Sequence, residues 1–324
     1  DWLVTILRER VGAQTNFFFT SQLPVGISRK LRKKIIDTFP DWKGHVLYQP
    51  ENLRLGNAIE SMRTPDRVVL GFDSDDETDR DILEKEFRNL FQLPNVPVDK
   101  MGLESAEMVK HALNSFLATC VVFGNELSQI CEETGANAWE VAISLKKDTR
   151  VGARAPLFPG LGFAGGTLAR DVKTLSHFAP GDLNFFQNLY DINTARNRWV
   201  VKVLKQSIGD LNNKMITLLG ITYKPFTSTV RRSPAIDIAK LLKLEGACSV
   251  ALDPMADLNE LCAAERRSLP FRMESDPRVA FTKSDGAVLL TEWPQFLEWD
   301  WNMLKTLMNH PLLIDTKNFL KSLN

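Results

Sequence analysis

Residues 106–137 read AEMVKHALNSFLATCVVFGNELSQICEETGAN. Met108, Ala112, Phe116, Leu117, Val121, Phe123 and Leu127 recur at helical spacing along this stretch. No proline interrupts residues 102–134, and Gly124 is their one interior glycine. The pattern predicts a helix over 102–134, longer than most globular helices. A helix of that length is either a spine between two domains or the seam of a dimer.

What flanks the spine has a different rhythm. Upstream, Phe17–Thr20, His45–Tyr48 and Val68–Gly71 are β-prone runs, separated by helical patterns over 28–39 and from the acidic stretch 73–79 through Leu90. Downstream of helical patterns at 137–146 and 182–209, KMITLLG (214–220), SVALDP, GAVLLT (286–291) and PLLIDT (311–316) read as strands. SPAIDIAKLLKLEGA (233–247) reads as a helix with Ser233 as N-cap, Pro234 at the first position and Gly246 near its end. Strands alternating with helices imply parallel α/β sheets on both sides of a helical middle. The expected boundaries are 1–100, 101–210 and 211–324.

Lys plus Arg and Asp plus Glu both total 40 in 324 residues, so there is no basic excess of the kind nucleic acid selects. The basic run RKLRKK (29–34) reads as a solvated helix face. The four cysteines, Cys120, Cys131, Cys248 and Cys262, show no metal-ligand or C-x-x-C spacing, which suits a reducing cytoplasmic compartment and no metal. No apolar run approaches the length of a membrane span, and no signal peptide is visible. The chain starts on Asp1, as expected of a processed or partial product.

PGLGFAGGTLARD (159–171) contains GLGFAG, which fits the dinucleotide spacing G-x-G-x-x-G. That fingerprint needs a strand immediately before the glycines. Pro156 and Pro159 stand there instead, and two prolines in four residues do not make a central strand. The cluster is therefore not a dinucleotide loop. It is either a tight connection between helices or a loop whose backbone N–H groups cradle a polar ligand.

Taken together, 106–137, DTRVG (148–152) and PGLGFAGGTLARD resemble the UDP-glucose/GDP-mannose dehydrogenase family. The similarity extends through SQLPVG (21–26), QPENLRLGNAIESMRTPDRVVLG (49–71), LLGITYKPFTSTVRRSPAIDIAKLL, ALDP, LLTEW (289–293) and IDTKN (314–318). The resemblance implies an α/β fold with two Rossmann-like parallel-sheet domains, the first one incomplete, joined by a long central helix in an all-α dimerisation region. It implies a remainder of an NAD domain, then a homodimerising helical domain through the 102–134 helix, then a nucleotide-sugar domain. The family oxidises the C6 alcohol of a nucleotide-linked sugar with NAD. The strand and glycine loop that would open the NAD domain have no match here, and the enzyme reading expects them encoded upstream of Asp1.

The resemblance also implies site residues. Lys110 and Asn114, one helical turn apart, match groups that hold the sugar hydroxyl and stabilise oxyanion charge. Glu51 matches a base or water-orienting carboxylate, and Asp171 an aspartate beside the nucleophile. Arg150 matches an arginine that reaches a neighbouring subunit's ligand. Phe158, Gly160, Gly162 and Phe163 match the segment wrapping the sugar diphosphate; Tyr223, Lys224 and Lys317 match further substrate contacts. Ser21, Gln22, Leu23, Leu55 and Arg231 match cofactor contacts.

Three positions depart from the family pattern. Thr167 stands where the family has its catalytic cysteine, Arg170 where it has lysine, and Leu55 where it has glutamate. A threonine hydroxyl is a far weaker nucleophile than a thiolate unless a base stands beside it. Cys120 does not replace the thiol: it lies ten residues past Lys110, about 80 degrees round the helix, and reads as core. Two functions follow: an NAD-dependent nucleotide-sugar oxidoreductase without the cysteine thioester step, or a catalytically inactive nucleotide-sugar-binding dimer.

Overall fold

The computed structural model describes residues 12–51, 58–181 and 184–323. Two compact units divide the chain, Asp1–Leu113 and Asn114–Asn324.

The first unit carries a four-stranded sheet in the order β1 (Phe17–Thr20), β2 (Val46–Gln49), β3 (Val68–Phe72), β4 (Val98–Gly102). Helix α1 (Ile27–Thr38) connects β1 to β2, and α2 (Ala58–Arg63) and α3 (Glu77–Phe91) follow β2 and β3. Side chains alternate across the sheet. Leu47, Leu70 and Phe72 join Leu83 and Phe87 of α3 on one face. Val46, Tyr48 and Val69 join Leu103 and Ala106 on the other. β3 is buried along its whole length, as its continuous apolar run requires.

The sheet is mixed where the sequence pattern implies a parallel one. β1–β2 and β3–β4 are parallel, but β2 and β3 pair antiparallel, Leu47 opposite Phe72. Within the described part of the β2–β3 connection the one helix, α2, is six residues, about 9 Å.

Helix α4 (Leu103–Thr134) runs for 32 residues, about 48 Å, and meets the sequence expectation to within a residue. The second unit holds most of α4, then α5 (Ala138–Lys147), α6 (Thr167–Phe178), α7 (Phe185–Ala195) and α8 (Arg198–Ile208). The single helical pattern over 182–209 is thus two helices broken at Arg196 and Asn197. Helix α6 has no counterpart in the sequence reading.

The second sheet is wholly parallel, in the order β7 (Arg272–Met273), β6 (Cys248–Leu252), β5 (Met215–Leu219), β8 (Gly286–Leu289), β9 (Leu313–Asp315). Helices α9 (Pro234–Leu244), α10 (Ala263–Arg267), α11 (Pro277–Phe281) and α12 (Trp301–Leu307) accompany it. Ser233 caps α9 through the Ala235 N–H, with Pro234 next in line. Ile216 and Leu218 pack with α8 and α9 on one face, and Leu219, Leu289, Trp293 and Phe296 form the core of the other. Each such fully buried side chain contributes roughly 1.5–3 kcal/mol. The strand order reverses between β5 and β8, and such a switch point opens a crevice at the carboxyl ends of the strands, where α/β sheets receive ligands.

Candidate functional site

The glycine-rich loop of the second unit lies over that crevice. A Cβ on Gly160 would stand 3.3 Å from the carbonyl oxygen of Thr316, just past β9. One on Gly165, which has a φ of +78°, would stand 3.2 Å from the Tyr223 ring beyond β5. Only glycine takes that backbone conformation without strain at this separation. The Gly165 N–H also donates to the Arg232 carbonyl at 3.1 Å.

Three side chains hold the loop from behind. Asn125, on α4, accepts from the Gly160 N–H at 2.8 Å and donates to the Leu161 carbonyl at 3.0 Å. Asn193, on α7, accepts from the Phe163 N–H at 2.6 Å and donates to the Phe163 carbonyl at 3.1 Å. Arg196 donates through Nε to the Gly160 carbonyl at 3.0 Å. A Cβ on Gly162 would fall 2.6 Å from the Asn193 carbonyl oxygen, so that glycine makes the close approach possible. Sequence reading missed Asn125, Asn193 and Arg196. Their signal is only a polar residue on an otherwise apolar helix face.

The loop runs directly into α6, and Thr167 is its first residue, exposed, with Gly166 at the N-cap and no side-chain cap. One turn on, Asp171 is fully buried and accepts from Nδ2 of Asn114, also buried. Arg170 Nε lies 3.7 Å from the same carboxylate. Asn114 and Asp171, each expected at the site, are therefore in contact. Lys110, half-buried, lies one turn before Asn114 on α4, in the first unit. Glu51 is exposed just past β2, also in the first unit. Leu55 lies outside the described residues.

At the crevice, Lys317 and Glu292 approach to 3.8 Å and Lys224 stands 5.7 Å from the Tyr223 ring centroid. Partial burial raises the Tyr223 phenol above its usual range, so it stays a neutral donor. Phe158 stacks on Trp139 at 4.5 Å under the Lys146 ammonium. Arg150 is largely exposed and forks onto Asp148 at 2.7 Å.

The Rossmann-like order of the second sheet does not make it a dinucleotide site. An acidic residue ending the second strand would have to be open to a ribose. Asp253, just past β6, instead accepts from the N–H groups of Ile221, Thr222, Met255 and Ala256 at 2.7–2.9 Å and from the Trp293 indole at 3.1 Å. Its lone pairs are spent on folding the surrounding turns.

The positions expected to meet a cofactor in the first unit are equally constrained. The Tyr48 hydroxyl donates to the Ser21 carbonyl at 2.8 Å, and His111 Nε2 lies 3.0 Å from the Leu23 carbonyl, which fixes residues 21–23 at the end of β1. The βα turn that follows offers no anion pocket: buried Glu107 accepts from the N–H groups of Gly26 and Ser28 and from the Ser28 hydroxyl. In the second unit, Arg231 places its guanidinium on the Glu260 carbonyl, Nε at 3.2 Å. Among the described residues, the turn after β1 thus has the Gly26 and Ser28 N–H groups already bonded to Glu107.

Residues 104–195 match the central-domain model of the UDP-glucose/GDP-mannose dehydrogenase family, and residues 217–322 match the family's UDP-binding-domain model. The second match covers β5, the crevice and Lys317. The chain belongs to the UDP-glucose/GDP-mannose dehydrogenase family. It is 33% identical over 307 residues to the UDP-glucose 6-dehydrogenase of Rhizobium meliloti (strain 1021), covering 93% of this chain and 68% of that protein. It is 33% identical over 303 residues to UDP-glucose 6-dehydrogenase TuaD of Bacillus subtilis (strain 168), covering 92% and 63%. A UDP-glucose dehydrogenase structure from Pyrobaculum islandicum superposes with a TM-score of 0.80 at 25% identity, covering 94% of this chain and 69% of that one. The chain thus spans about two thirds of its relatives' length. Among the described residues, no helix is long and apolar enough to cross a membrane, and no cluster of His, Cys, Asp and Glu could hold a metal ion.

Proposed function

We propose that this chain binds a nucleotide diphosphate sugar under its glycine loop and belongs to an NAD-dependent oxidoreductase acting on the C6 alcohol of that sugar. The observation that carries the reading is the loop's position. Gly160 to Gly165 lies across the switch-point crevice, beside Tyr223 and near Lys317. Backbone at that spacing accommodates a polyanion flanked by Lys224 and Lys317.

In this reading Asn114 and Lys110 face the reacting sugar from one side of α4. Asp171 uses one amide proton of Asn114 and so fixes the carboxamide plane, leaving the second proton for an oxygen that gains negative charge. NAD, when bound, accepts the hydride. Ser21, Gln22 and Leu23 are its contact points in this chain. Glu51, in the first unit, is the base or water-orienting carboxylate that the family resemblance implies.

The thioester half of the reaction is not supported. The Thr167 hydroxyl is exposed on α6, and among the described residues no side chain is recorded within hydrogen-bond distance of it to act as a base. The chemistry then stops at the aldehyde, with one NAD reduced per sugar. The experiment is incubation of the full protein with NAD and UDP-sugars, counting NADH per sugar. One NADH with aldehyde product supports this reading. Two NADH with a uronate would overturn the missing step, and absence of UDP binding would overturn the site.

The same chain is proposed to dimerise through α4. Leu113, Phe116, Phe123 and Ile130 are 40–62% exposed on that helix. Phe116, Phe123 and Ile130 fall seven residues apart, the repeat of a helix seam.

A further inference from the structure

Arg196 is a buried cation with no counter-ion recorded among the described residues. It is 6% exposed, in the break between α7 and α8. Nε donates to the Gly160 carbonyl at 3.0 Å and Nη2 to the Ser128 hydroxyl at 3.4 Å. Nη1 is buried with no hydrogen-bond partner. The guanidinium carbon stands 4.7 Å from the Trp199 ring. Glu132 and Glu126 are close enough to be felt but form no ion pair with it, and desolvation lowers its pKa.

Keeping a charge there is expensive. A buried charge with a donor left unsatisfied and no ion pair costs stability unless an opposite charge compensates it. If Arg196 served only to hold the Gly160 carbonyl, a neutral amide donor would do so without the desolvation cost. Its charge lies one peptide from the loop that covers the crevice. Arginine there presents a charged donor to the back of the loop, and the loop's open side faces the ligand.

We propose that Arg196 is a positioning residue: it fixes the glycine loop through the Gly160 carbonyl, and its buried charge is answered by the diphosphate of the nucleotide sugar. The proposal rests on the loop being the nucleotide-sugar cradle. It explains why the helical pattern over 182–209 breaks at this residue: the bend brings the guanidinium behind Gly160.

The test is calorimetric titration of the full chain with UDP and with uridine, for the wild type, Arg196→Met and Arg196→Lys. R196M is expected to weaken UDP at least tenfold and uridine less than twofold, and R196K to stay within about threefold of the wild type for UDP. Equal losses for the two ligands, an unchanged UDP affinity in R196M, or a fall in R196K as large as in R196M would overturn it. If R196M does not fold, Arg196→Gln removes the charge, keeps a donor for Gly160 and carries the same comparison. Should the wild type bind no UDP, the cradle reading fails, and amide exchange tests the loop-fixing role alone. R196M should then speed exchange at the Gly160 and Phe163 N–H groups at least tenfold and leave α8 unchanged. An unchanged Gly160 rate would overturn that role.

Discussion

Asn193 grips the peptide of Phe163 at both ends, accepting from its N–H at 2.6 Å and donating to its carbonyl at 3.1 Å. A carboxamide paired this way imitates a neighbouring strand, and with the packing of Phe163 against the cluster that includes Leu189 it ties the glycine loop to α7. Asn193→Ala removes both bonds and leaves two part-buried backbone groups unsatisfied. The expected cost is about 2 kcal/mol of stability, read by urea unfolding, with UDP affinity falling in parallel. An affinity unchanged in a variant destabilised by that amount would show that loop height does not matter for binding.

Gly165→Ala tests the loop from its other side. At a φ of +78°, with the Tyr223 ring 3.2 Å from the new Cβ, the variant must shift the loop or turn the ring. Such positions cost on the order of 1–3 kcal/mol. Ala164→Gly, next to it, lacks that constraint and should behave like the wild type. UDP titration of the pair separates a conformational requirement from general sensitivity of the loop. Equal affinities in both variants would refute it.

Stability at low pH should depend on Asp285. Burial pushes its carboxyl up, but the Met215 N–H, the Asn309 amide and the Lys214 ammonium together hold it below the usual carboxylate range. A depressed folded-state pKa stabilises the fold above the unfolded pKa, and the gain disappears as pH falls through the folded value. Asp285→Asn should therefore lose about 2 kcal/mol near neutrality and show a shallower loss of stability below about pH 4 than the wild type. Chemical unfolding at a series of pH values measures this; parallel wild-type and variant curves would rule Asp285 out as the source.

Most of the second sheet was legible because parallel strands buried on both faces read as continuous apolar runs, as MITLL and GAVL do. The long helix was legible from periodicity alone. Helix α6 was not: it begins after two glycines with no side-chain cap, so no start signal marks it. The antiparallel pairing of β2 and β3 was not legible either, since strand direction depends on the path of the connection and not on the strands themselves. At the site, Asn114, Asp171 and the glycines came from a family pattern, whereas Asn125, Asn193 and Arg196 came only from geometry. Their work is to bond backbone, and a backbone partner leaves no trace in the sequence.

The exposed stripe on α4 predicts an oligomer. Phe116, Phe123 and Ile130 repeat every seven residues and are 62%, 52% and 59% exposed. Such a seam is unlike a solvated helix face, which carries charge at these positions. Phe123→Glu places a charge at its centre and should convert a dimer to a monomer by light scattering, with far-UV circular dichroism unchanged. A wild type that is already monomeric at micromolar concentration would refute the seam.

Thr167 can be tested without any substrate. It is the first residue of α6, where the backbone N–H groups of the first turn are unpaired and the helix dipole favours negative charge. A thiol placed there should ionise more readily than a free cysteine, because the site that would activate the family's nucleophile is still present. Thr167→Cys should therefore react with iodoacetamide at pH 7 faster than the exposed Cys248 and Cys262 of the same chain. Peptide mass spectrometry over a time course gives the three rates side by side. If the fold has kept a nucleophile's environment around a hydroxyl, the new thiol leads. An introduced thiol that lags both surface cysteines would mean that the environment has been lost along with the residue, and would favour the inactive, sugar-binding reading over the oxidoreductase one.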